Sequence, residues 1–140
     1  MTVQAILLPL FVQVGLTFVL MFLMGQARLG ALRQGDVGMR DIALGQKAWP
    51  ARAQQISNAY HNQFEMPVLF YVIVILAMAT RKADLLFVAL SWLFVLSRLA
   101  HAFVHGTTNN LRIRFGLFTI GAILLLVMWA IFAFRILIGP

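Results

Sequence analysis

The chain has no cysteine, which excludes disulfides, thiolate metal sites and a cysteine nucleophile, so any thiol chemistry must come from a ligand. Charge is scarce, negative charge above all: charged residues make up 11% of the 140, and only 4 are acidic against 11 Lys and Arg. With 62% hydrophobic residues and a mean hydropathy of +0.92, there is too little polar surface to cover a water-soluble globule of this length. The composition therefore implies a membrane as solvent. In so apolar a chain, a formal net charge of +7 marks cytoplasmic loops and contacts to anionic lipid or ligand rather than nucleic acid. The sequence also lacks internal repeats and low-complexity tracts.

What is present is four apolar stretches. The first runs from about Ala5 to Met24, long enough to cross a hydrocarbon core of about 30 Å as a helix. No Lys or Arg precedes it, and ARLGALRQGDVG after it reads as a stop-transfer flank, so a retained span is expected rather than a cleaved signal. The second is apolar only over Pro67–Thr80, too short to span, so its helix must begin earlier, at about Ala51 or Ser57 within the polar run SNAYHNQFEMPVLFYV. The third covers Leu85 to about His105 and the fourth about Phe115–Leu137. The expectation is an all-α, integral membrane four-helix bundle forming one domain over residues 1–140, with spans at about 5–24, 57–80, 85–105 and 115–137. RKAD makes a tight antiparallel hairpin between spans two and three, and TTNN marks the turn between three and four.

The long connection, about residues 28–52, carries Arg28, Arg33, Arg40, Lys47 and Arg52, and the third connection carries Arg112 and Arg114. Only Arg81, Lys82 and Arg135 fall on the other side. Positive-inside bias thus puts the basic loop in the cytoplasm and both termini outside. Gly30, Gly35, Gly38 and Gly45 predict an irregular loop with room for a short surface helix. Short loops and the lack of organelle signals point to a bacterial inner membrane.

Two polar stripes share one membrane level. At 100° per residue, Asn58, His61, Asn62 and Glu65 lie on one face of the second helix, expected to be a continuous stripe, and Ser91, Arg98, His101 and His105 lie on one face of the third. Both stripes sit toward the cytoplasmic side. Glu65 cannot face lipid as an unpaired anion, and Arg98 is the partner nearest in level. A salt bridge between them could simply lock the bundle, with Asn62 as interhelical glue. His101 and His105 at i, i+4, with Glu65 or His61, have metal-ligand spacing, but two neutral histidines fit a polar interface equally, and no metal is expected. Ser57, Ser91 and Ser97 carry no nucleophile-elbow motif. Arg112 and Arg114, in NNLRIRFG, suit either a headgroup anchor or an anionic ligand.

The order of these motifs resembles the MAPEG family, the membrane-associated proteins of eicosanoid and glutathione metabolism. A first span followed by a basic segment from Arg28, then NQFEMPVLF, then RLAHAFVH and RIRFGLF carry the likeness over nearly the whole chain. The family's Asn, the Glu three residues later and the following Pro fall on Asn62, Glu65 and Pro67. The resemblance implies a homotrimer binding glutathione as co-substrate between subunits near the cytoplasmic side, with membrane lipids and lipophilic small molecules as further partners. It assigns the peptide's polar groups to Asn62 and Glu65, the third-helix wall to Arg98, His101 and His105, and thiolate stabilisation to Arg114, followed by the aromatic Phe118. Arg28, Asn58 and Arg112, the last a reserve for Arg114, complete the expected substrate contacts. Eicosanoid-making relatives commonly have arginine where this chain has Asn58 and tyrosine where it has His105. The resemblance therefore implies a general transferase or peroxidase acting on lipophilic electrophiles or hydroperoxides, rather than a leukotriene or prostaglandin synthase. The competing expectations are a non-catalytic membrane trimer whose basic loop binds lipid or a protein, and a proton-linked carrier using Glu65, His101 and His105.

Overall fold

A computed structural model describes residues 1–45 and 48–139; Lys47, counted above in the basic loop, lies outside the described residues. All regular structure among them is helical: α1 Val3–Gln34, α2 Met39–Ile42, α3 Ala51–His61, a 3-10 turn Asn62–Phe64, α4 Met66–Ala79, α5 Leu85–Gly106 and α6 Leu111–Leu137. Four helical stretches are long and apolar enough to cross a membrane: α1, the α3–α4 pair, α5 and α6.

The helix ends follow local chemistry. Thr2 caps α1 by accepting from the Ala5 N–H at 3.2 Å, and Asp84 caps α5 by accepting from Phe87 N–H at 2.9 Å. Asn110 caps α6 by accepting from Arg112 and Ile113 N–H. α1 outruns its expected end at Met24 by ten residues. Hydropathy falls after Met24, but Ala, Leu, Arg and Gln sustain a helix, and the first effective stop is Gly35. Its φ of 77° lets the Asp36 N–H close on Ala31 C=O at 3.0 Å. The expected loop from 28 therefore starts at Gly35, and Arg28 and Arg33 are helical. α6 likewise starts four residues before the expected 115, so Arg112 and Arg114 lie in its first turn.

α5 is the central helix, with half of its apolar window buried, whereas α1 and α6 bury about a fifth (22% and 17%) and turn the rest outward. Phe70, Ile73, Val74 and Ala77 of α4 meet Phe94 and Val95 of α5 and Leu125 and Met128 of α6. The Phe70 and Phe94 rings stack at 4.8 Å. A smaller cluster of Leu20, Ala59 and Ala102 brings α1, α3 and α5 together through small side chains. In lipid the hydrophobic effect does not drive helices together, so close packing and polar ties must do it. Such ties occur at both ends. Arg52 donates to the Gly106 carbonyl, and Gln55 Nε2 donates to the carbonyls of His105 at 2.9 Å and Thr107 at 3.0 Å, fastening α3 over the last turn of α5. At the opposite end Arg135 pairs with Asp84 at 2.7 Å and reaches the Lys82 carbonyl.

The Arg135 guanidinium holds the Asp84 carboxyl below its ordinary pKa of 3.8. The stability this pair contributes is present above that ordinary value and is lost as pH falls through the lower folded-state value. Asp84→Asn keeps the α5 cap, since Asn caps as well as Asp, and removes only the ion pair. In detergent melts the substitution is expected to cost under about 1 kcal/mol at neutral pH, the pair being half-exposed. The gap to the unaltered protein should close in acid; a gap that persists there contradicts the assignment.

Candidate functional site

The site is built on a broken helix. Pro67 has no N–H to give the Gln63 carbonyl, so the chain tightens into the 3-10 turn Asn62–Phe64, and Glu65 leaves helical geometry at φ −94°, ψ −111°. The continuous stripe expected along the second span is thereby divided. Asn58 and His61 stay on α3, exposed. Asn58 Oδ1 accepts from Gln54 at 2.7 Å, and His61 Nδ1 donates to the Ser57 carbonyl at 2.7 Å. Asn62 and Glu65, at and beyond the break, turn toward α5 and α6 instead.

Arg98 on α5 has no exposed surface. Its Nη2 donates to Asn62 Oδ1, and Asn62 Nδ2 donates to Glu65 Oε2 at 3.0 Å. The direct Glu65–Arg98 salt bridge envisaged from sequence is absent: the ion pair found among the described residues is Arg135–Asp84. The break carries Glu65 outward to an exposed position and interposes the Asn62 amide as a relay. Gly121 on α6 packs against α5 here: a Cβ there would stand 3.1 Å from Ser97 Oγ, a tight approach, and 3.7 Å from Arg98 Cδ, an ordinary contact. The Arg98 Nε and Nη1 have no protein acceptor.

In front of this relay a cleft of about 300 Å³ is lined by Asn62, Glu65, His101, Leu111, Arg114, Phe115 and Phe118. His101 lies 6.2 Å from the Phe118 ring and 5.6 Å, edge-on, from His105 behind it; both histidines are buried and neither Nδ1 has a partner. Arg114 is held from the α5–α6 turn, where Asn109, left-handed at φ 54°, accepts from Arg114 Nη1 at 2.6 Å. Six of the residues singled out from sequence thus converge: Asn62, Glu65, Arg98, His101, His105 and Arg114. Of these, Arg98 and His105 lie behind the cleft and do not line it, and three further candidates stand apart from it. Arg28 donates to Ser57 Oγ at 2.7 Å and lies over the Trp49 ring at 4.9 Å; Asn58 faces Gln54; Arg112 is exposed.

Sequence reasoning missed Leu111 and Phe115, which form the apolar wall, and Gly121, which packs close to Ser97. It also missed Gln63, which stands between Asn62 and Glu65 in the motif. One guanidinium, Arg114, and one carboxylate, Glu65, line the cleft, with a second guanidinium, Arg98, bonded to Asn62 behind it, an arrangement that suits an anionic ligand with hydrogen-bond acceptors. Asn62 and Glu65 offer complementary contacts to an amide or ammonium group. No three of His, Asp and Glu among the described residues gather as a metal-ligand set.

Compared with known proteins, the sequence model of the MAPEG family matches residues 6–134. No curated protein matches, and no solved structure matches.

Asn62 supplies the acceptor for the buried Arg98, so Asn62→Leu would leave that charge unsatisfied. A loss of about 1.5–3 kcal/mol in detergent melts is expected, and Asn62→Leu/Arg98→Met should recover most of it, because removing both partners is far less costly than removing one. Equal melting of Asn62→Leu and the unaltered chain would remove Asn62 from this role.

Proposed function

The chain belongs to the MAPEG family and is an integral, multi-pass membrane protein, and from that premise we propose that it binds glutathione in the cleft and transfers it to lipophilic acceptors. The carrying observation is that Arg114, Asn62 and Glu65 meet on one cleft, with the buried Arg98 bonded to Asn62 behind them and Leu111 and Phe115 exposed at its rim. The peptide's ammonium group pairs with Glu65 and its backbone amides with Asn62, while the buried Arg98 balances the charge of Glu65 through Asn62. Arg114 lies beside the thiol and favours its anion, lowering a pKa that is ordinarily about 8.5. The thiolate sulfur then attacks an electrophilic carbon, the C–S bond forms, and the leaving group departs with the electron pair of the broken bond. With a hydroperoxide as acceptor, two thiols would give a disulfide, an alcohol and water.

Membership also supports a homotrimer; Arg28, engaged by Ser57 and Trp49 on its own chain, is the α1 residue we propose for contact with a neighbouring subunit's ligand. Arg28, Arg33, Arg40, Arg52, Arg112 and Arg114 cluster at the cleft end of the helices, against Arg81, Lys82 and Arg135 at the other. By positive-inside bias the cleft end is cytoplasmic, in what we read as a bacterial inner membrane. A second reading, a non-catalytic trimer, draws on the Arg98–Asn62–Glu65 relay, which could serve purely as a bundle lock. Glu65→Gln separates the two: loss of oligomer mass with ligand binding intact favours the lock.

Calorimetry with glutathione on the detergent-purified protein, with Arg114→Ala alongside, tests the enzyme reading. Saturable binding is expected in the unaltered protein. Arg114→Ala should lower kcat/KM toward a hydrophobic electrophile on the order of 10²-fold, as for loss of one preorganised anion-stabilising donor, with oligomer mass unchanged. Undiminished conjugation by Arg114→Ala would sink the role.

A further inference from the structure

The relay and the cleft leave one buried polar pair unused. Gln13, in the interior of α1, has no exposed surface, and Gln63 on the 3-10 turn is almost as fully enclosed. Gln13 Nε2 donates to Gln63 Oε1 at 2.9 Å, and Gln63 Nε2 donates to the Ala59 carbonyl at 3.0 Å. Neither glutamine lines the cleft. Ala59 is among the last four residues of α3, whose carbonyls find no partner within their own helix. Gln63 therefore closes the end of α3 with its own side chain while its oxygen is held from α1. The next residue back is Asn62, whose side chain meets Arg98 and Glu65 and whose carbonyl accepts from the Glu65 N–H at 3.3 Å.

An amide buried at this depth is costly unless bonded, and α1 does not need this one for attachment, since it already packs on α3 and α5 through Leu20, Ala59 and Ala102. We infer that Gln13 is a positioning residue: through Gln63 it fixes the 3-10 turn that directs Asn62 and Glu65 into the cleft, without touching the ligand. Remove the Gln13 amide and Gln63 Oε1 is left unpaired in an apolar surround. The Gln63 amide then turns to find another partner, the Ala59 carbonyl loses its donor, and the turn is free to change the direction in which Asn62 and Glu65 project. The effect on ligand rests on the reading of the cleft as a glutathione site; the effect on the turn does not.

Hydrogen exchange at residues 62–66, measured on the full-length protein in detergent without ligand, tests the clamp directly. Gln13→Leu/Gln63→Leu removes both partners of their mutual bond at the cost of the Ala59 carbonyl's side-chain donor, and Gln13→Asn keeps the amide but withdraws it by one methylene, preserving the fold should the double variant not assemble. Exchange over 62–66 is expected to quicken about tenfold in both variants, equivalent to about 1.4 kcal/mol, with melting temperature held. Glutathione affinity measured by calorimetry should fall by a similar factor. Unchanged exchange at 62–66 in both variants overturns the inference, as does an affinity loss that merely tracks a lowered melting temperature. If the unaltered protein binds no glutathione, the ligand reading fails, and the exchange result alone decides the clamp.

Discussion

A guanidinium with no exposed surface sets the terms for everything around it. Arg98 sits on the most enclosed helix of the bundle, where a charge must be given an acceptor or be expelled. The chain answers with two concessions: a carbonyl oxygen from the Asn62 side chain and a carboxylate one hydrogen bond further on. Because the acceptor next to Arg98 is a neutral amide, the guanidinium's charge is offset at one remove, through Asn62 to Glu65, while its Nε and Nη1 stay buried without a protein acceptor. The positive charge that lines the cavity itself is Arg114.

Proline supplies the geometry that electrostatics alone could not. In an unbroken helix Asn62 and Glu65 would stand on nearly one line, side by side along the axis. With Pro67 withholding its N–H, the turn before it tightens and Glu65 departs from helical dihedrals, so the pair spreads, the amide inward and the carboxylate outward. The polar start of the second span is thus neither a wet lip nor a buried lock alone. It is a joint with one face on the core and one on the cavity.

The number of spans, their order and the convergence of the second, third and fourth helices were legible because apolar length and 3.6-residue spacing are local properties. The ends of α1 and α6 were not, since hydropathy reports where hydrocarbon stops, whereas a helix continues until a residue such as Gly35 or a cap such as Asn110 stops it. Asn62, Glu65, Arg98, His101 and His105 could be assembled from face and level, and Arg114 joined them only through the family resemblance. The direct Glu65–Arg98 contact could not be judged, because it depends on a backbone break whose only sequence trace is Pro67, equally compatible with a plain helix start. Arg28, Asn58 and Arg112 were grouped with the rest by type and depth, but side-chain partners on their own chain, Ser57, Trp49 and Gln54, or exposure decide where they stand. Gln13 was visible as an isolated amide in an apolar span, yet its partner lies 50 positions away.

The apolar rim formed by Leu111 and Phe115 faces outward from the bundle, so a lipophile that meets it arrives through hydrocarbon rather than from water. Each methylene enriches a solute in the bilayer about fourfold over water, at roughly 0.8 kcal/mol per group. Two acceptors of equal intrinsic reactivity but differing by four methylenes would then reach the rim at local concentrations more than a hundredfold apart. Under the proposed function, preference among acceptors at such a doorway would be set first by partition coefficient and only second by shape, and rate constants referred to aqueous concentration would describe the lipid phase as much as the protein.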